Sequence, residues 1–132
     1  MNHESGNLVW MAPDAIGEIL HAVPALADEF VFPLASFREI EPFGPGVYRG
    51  LARIAEGRPA ALRPLLGLVT PCLEHGDAVI RAHAALVIDR VDPTCLAGAR
   101  PALERDEAPL RIYDFGDGIM RDVRVCDLVA SA

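Results

Sequence analysis

The stretch from Gly76 to Asp92, GDAVIRAHAALVIDRVD, decides the fold. Asp77 stands where a helix N-cap would. Its short carboxylate can accept from the orphan N–H groups of the first turn and favours the positive end of the helix dipole. The residues after it (Val79, Ile80, Ala82, Ala84, Ala85, Leu86, Val87 and Ile88) spread apolar character around most of the helix circumference. A helix apolar nearly all round is covered on several sides. The pattern predicts an inner helix that ends before Pro93.

The same design occurs upstream in Gly46–Arg58, GVYRGLARIAEGR, where Val47 and Arg49 match Val79 and Arg81 at a shift of 32. A shift of 35 lays Ile16 on Leu51, Ile19 on Ile54 and Pro24 on Pro59. It also lays Phe30 on Leu65, Val31 on Leu66, Leu34 on Val69 and Phe37 on Cys72. Recurrence at about 30 to 40 residues is the mark of stacked helical hairpins. The predicted fold is mainly α: an α-α superhelix, or solenoid, of about three helical hairpins with a C-terminal β-hairpin cap. Residues 1–132 form one domain, with repeats at about 12–44, 45–76 and 77–106 and the cap at 107–132.

Working outward, Ile16, Ile19, Leu20 and Val23 form one apolar face, and Leu26, Phe30, Leu34 and Phe37 keep a four-residue step past Pro33. Pro42-Phe43-Gly44-Pro45-Gly46 is the clearest turn. The next helix carries Gly50 on its apolar face. Glycine costs a helix ~1 kcal/mol against alanine, so its presence there points to a closely packed neighbour. A helix is expected from about Ala60 to Glu74 and a short one from about Thr94 to Glu104. Leu110 to Phe115 and Ile119 to Val125 alternate around Gly116-Asp117-Gly118, which predicts a β-hairpin. Cys126 to Ala132 suits one or two helical turns.

Composition narrows the function. The chain has 132 residues, 19 acids against 12 bases and a net charge of −7, and every base is arginine. Without lysine there is no Schiff-base or P-loop lysine, and an acidic chain lacks the electrostatic footprint of nucleic-acid binding. Cys72, Cys95 and Cys126 are odd in number and lack metal-ligand spacing; they are expected to be buried, small apolar thiols. No apolar run approaches the ~20 residues of a membrane span, and MNHESGNLVW lacks the pattern of a secretory signal. The expectation is a soluble, cytoplasmic protein.

Asp77-x-x-Ile-Arg81 with Ala84, Ala85 and Leu86 resembles the second helix of a HEAT-type repeat, D-x-x-V-R-x-x-A-x-x-x-L. Residues 8–20, LVWMAPDAIGEIL, with 43–56, FGPGVYRGLARIAE, are similar to a small group of bacterial HEAT-like proteins without assigned activity. The resemblance implies a protein-interaction scaffold or adaptor with no catalysis of its own. The alternative it leaves open is a HEAT-like enzyme or lyase-type subunit acting on a cofactor-bearing partner protein. The first unit departs from the pattern, with Asp14 and Glu18 where Arg49 and Arg53 sit later.

Candidate chemistry is sparse. His3, His21 and His83 are isolated and Glu74-His75 stands alone, so no metal or cofactor site is expected. Asp114, Asp117, Asp122 and Asp127 lack the spacing of a calcium loop and read as turn residues. Arg49, Arg53, Tyr48 and Trp10 are the candidates for binding another protein, one with an acidic segment, since Arg, Tyr and Trp dominate interface hot spots. Asp77 and Arg81 are expected to join neighbouring repeats. A homodimer through stacked end faces is a third reading.

Overall fold

The computed structural model describes residues 11–130, and within them the chain is mainly helical with one two-stranded antiparallel sheet. Helix α1 (Ala12–Ala22) starts on Pro13, which needs no donor in the first turn, and buries Pro13, Gly17 and Leu20. A 3-10 turn, Pro24–Leu26, leads into α2 (Ala27–Ala35), which buries Ala27, Val31, Leu34 and Ala35. Pro33 lies inside α2, where its missing N–H removes the bond to the Glu29 carbonyl, and the helix ends at Ala35.

Helix α3 (Gly44–Gly57) follows the predicted turn and lies between α1 and α5 (Ala78–Val91). Its axis approaches α1 closely. A methyl group on Gly17 would stand 2.4 Å from the Gly50 Cα, and one on Gly50 would stand 2.9 Å from the Pro13 carbonyl oxygen. Gly50 therefore does face a close neighbour, and only hydrogen fits at this crossing.

The segment expected as one helix over 60–74 is broken. It runs as 3-10 (Pro59–Leu65), α4 (Leu66–Val69) and 3-10 again (Thr70–Glu74). Pro59, Pro64 and Pro71 each remove a donor and constrain the residue before them, so the tighter helix takes over. The apolar spacing still serves its purpose: Leu62, Leu65, Val69 and Leu73 are all buried.

Asp77 caps α5, accepting from the Val79 N–H at 2.8 Å. This helix buries Ile80, Ala82, His83, Ala84, Ala85, Val87, Ile88 and Val91 against α3, α7, β1 and the 3-10 segments around it. A short 3-10 turn, Pro93–Cys95, and a four-residue α6 (Arg100–Leu103) replace the longer helix expected over 94–104. Strands β1 (Pro109–Asp114) and β2 (Ile119–Arg124) pair antiparallel, with Leu110 opposite Val123 and Asp114 opposite Ile119. Gly118, at φ +72°, supplies the left-handed residue of the turn. Helix α7 (Val125–Ala130) then buries Val125 and Val129 and packs on α5. One apolar cluster runs from Leu20 and Leu34 through Leu51, Ile54 and Ile88 to Leu96 and Val125.

Candidate interaction surfaces

Charges one turn apart meet across α1 and α3. Arg49 donates through Nε to Asp14 Oδ1 at 2.7 Å and through Nη2 to Asp14 Oδ2 at 3.0 Å. One turn on, Arg53 Nε lies 2.9 and 3.0 Å from the two carboxylate oxygens of Glu18, and its Nη1 donates to Glu56. The Arg53 guanidinium also stands 3.8 Å from the ring centroid of Phe115, in the turn between β1 and β2. That is cation–π distance. Both pairs span 35 residues, the offset between the first two units. The acids that depart from the repeat pattern in α1 are thus the partners of the arginines in α3. The arginine row that could have met an acidic segment of another protein is matched by this chain's own acids.

Arg81 reaches the opposite way. Its Nε and Nη2 donate to the Asp106 carboxylate at 2.9 and 3.3 Å, and its Nη1 to the carbonyls of His75 and Gly76 at 2.8 and 3.0 Å. The two side chains are 17% and 18% exposed. Arg81 holds the Asp106 carboxyl below the usual carboxylate range, and the Ala108 N–H adds to this. Arg81 therefore ties the start of α5 to the turn before β1, and the Asp77 carboxylate is spent on the cap of its own helix.

Tyr48 is 4% exposed, and the Cys72 thiol donates to its hydroxyl at 3.0 Å. Burial, then the bond with Cys72, pushes the phenol above its ordinary pKa. Its ring is part of the core, and what little it exposes lies in the wall of a cleft of about 560 Å³ rather than on an open face. Trp10 lies outside the described residues. His83 is also buried, and its Nδ1–H donates to the Val79 carbonyl at 2.7 Å. Burial lowers its pKa, with Arg49 acting in the same direction, against the Val79 bond, Asp14 and Asp77. It is a neutral core histidine at pH 7.

The hairpin aspartates bond locally. Asp114 accepts from the N–H groups of Gly116 and Asp117, while Arg121 bonds Asp114 at 2.8 Å and also Asp117. Among the described residues no group of three or more His, Cys, Asp or Glu could hold a metal ion. No helix there is long and apolar enough to cross a membrane. Two adjoining clefts of about 400 and 560 Å³ share Arg38, Glu39, His75 and Ile80 in their walls. With Glu41 and Asp77 beside the first, the charges are mixed and favour no one ligand.

A different surface carries apolar side chains into solvent. Ile19 of α1, Val23 just past its end, Leu26 in the turn, Phe30 of α2 and Phe37 beyond it are all exposed. Sequence periodicity places them in amphipathic stripes but does not reveal that, among the described residues, nothing covers them. The repeat alignment supplies the contrast. Ile19 is 56% exposed and its counterpart Ile54 1%; Phe30 is 42% exposed and its counterpart Leu65 2%. At these two aligned positions the earlier residue is open where the later one is buried. No family model, curated protein or solved structure matches the chain.

Proposed function

We propose that the chain is a short HEAT-like repeat module, an α-α solenoid of about three helical hairpins closed by its C-terminal β-hairpin, and that it serves as a protein-interaction scaffold without catalysis of its own. The order of packing, α1 on α3, α3 on α5 and α5 on α7, supports the repeat reading. The observation that carries the function is the open apolar side of the first hairpin, where Ile19 and Phe30 lie exposed. Large apolar side chains left open to solvent mark protein contacts where they gather on one side. The partner contact accordingly shifts from Arg49 and Arg53, which are matched internally, to this apolar side.

The test is affinity capture from native lysate with the tagged chain and its Phe30→Glu variant as baits. A protein held by the parent and released by the variant supports the scaffold reading. Recovery of the same proteins by both baits, or of none by either, removes it.

A further inference from the structure

The open side can be given an occupant. Inside this chain each unit presents two sides to its neighbours. The side of α3 turned to α1 carries Gly46, Gly50 and Gly57, each within 4 Å of α1 atoms once a methyl is built on it. At the far end Ala84 and Val87 of α5 are fully buried, and α7 and β1 pack on that helix, while the β-hairpin itself exposes Tyr113, Phe115, Ile119 and Met120. Head-to-tail stacking through those side chains would leave an unfilled head on each growing array, whereas the head patch meeting itself across a two-fold axis closes with two copies, the same patch serving both subunits. Apolar contact is non-directional and tolerates such self-pairing.

The area fits. Ile19, Val23, Leu26, Phe30 and Phe37 are 36% to 56% exposed. With ~200 Å² for a fully exposed large side chain, they offer on the order of 400 Å². A standard interface takes ~800 Å² from each partner, a little over half of it non-polar. Resting on the scaffold reading above, we propose that the open side of the first hairpin is the seam of a homodimer, with a second copy of this chain joined head to head. Each copy carries a net charge of −7, so the two repel, and added salt strengthens the pairing by screening.

Sedimentation or light scattering of the full chain tests this at a concentration well above the ~1 μM Kd of a modest interface. The expected mass is twice the 14.2 kDa of one chain, with the dimer fraction rising with salt. Ile19→Glu and Phe30→Glu should each return the mass to that of one chain with an unchanged helical circular dichroism spectrum. A monomer under all salt conditions overturns the proposal and gives the face to an unrelated protein or another segment of this chain. A dimer that both variants leave intact overturns it too, by placing the seam elsewhere. Should the variants fail to fold, amide shifts of the parent on dilution decide: changes confined to α1 and α2 support the seam, and changes at β1 and β2 sink it. The two proposals fail separately. A monomer that captures a partner through Phe30 keeps the scaffold and loses the dimer. A dimer that captures nothing else keeps the seam and loses the adaptor role.

Discussion

Adding one methyl group at the crossing of α1 and α3 gives the sharpest test of the packing. In Gly17→Ala the new Cβ would lie 2.4 Å from the Gly50 Cα, whereas ordinary contact begins near 3.4 Å. The atom in the way is backbone, so no rotamer change relieves the clash, and the helices must separate by about 1 Å. Overpacking of this kind costs ~1–3 kcal/mol, and backbone obstruction argues for the upper end. Replacing a helical glycine by alanine returns ~1 kcal/mol of propensity. The net loss is about 2 kcal/mol. With ~2.1 cal/mol/K of unfolding entropy per residue, that lowers Tm by about 7 °C. Gly67→Ala is the control, because a methyl there meets nothing within 4 Å. It should leave Tm unchanged or raise it by a few degrees. Calorimetry of the parent and both variants settles the matter: Gly17→Ala as stable as the parent would refute the close crossing and the joint built on it.

Other perturbations probe separate parts of the structure. Arg81→Ala strips Asp106 and two carbonyls of their donor at a largely enclosed site and should cost about 2 kcal/mol in urea melts; Arg111→Ala, whose pair with Asp122 lies in solvent, should leave the midpoint where it was. Ala85→Asp places an unpaired charge on a fully enclosed face of α5 and should yield aggregated or unfolded protein on size exclusion. His83 has a folded pKa below its unfolded value of ~6.5. The unfolded chain therefore binds the proton first, and stability should decline as pH falls through that value. His83→Gln should flatten this slope, while the loss from protonating Asp106 appears only below its unfolded pKa of ~3.9. Arg49→Asp sets two carboxylates against each other across α1 and α3, and adding Asp14→Arg should recover most of the lost stability; a double variant no better than the single one would show that the pair contributes nothing.

Much of the architecture was legible in the residues, and for identifiable reasons. The all-round apolar character of 78–91 marked α5 as enclosed, and Gly50 on an apolar face marked the close neighbour now seen at Gly17. The alternation around Gly116-Asp117-Gly118 placed the hairpin, because a period of two needs no knowledge of neighbours. The helix over 60–74 misled, because its apolar spacing suits both 3-10 and α geometry and its two prolines, with Pro59 just before it, decide between them. Tyr48 misled as well. A tyrosine beside an arginine on a helix resembles an interface pair until the thiol of Cys72, distant in sequence, is brought to its hydroxyl. Exposure of Ile19 and Phe30 could not be read from their own stripe, since periodicity reports which side is apolar and not whether a neighbour exists.

The charges carry a further consequence for how the units are ordered. At the first joint Asp14 and Glu18 face Arg49 and Arg53, so α1 and α3 are complementary in sign at matched heights. At the second joint the equivalent positions hold Arg49 and Arg81, which would repel, and Arg81 turns to Asp106 instead. Each exposed pair contributes ~0–1 kcal/mol at best, too little to hold the fold, which rests on the shared apolar core. Sign complementarity works instead through exclusion. An α3 set against a second α3 would bring arginine to arginine, whereas α1 brings acid to it. Helices of similar apolar pattern can pair in the wrong order, and a charge pattern that differs between the two sides of α3 removes that degeneracy. The acids of α1 thus distinguish its contact with α3 from the contact that α5 makes.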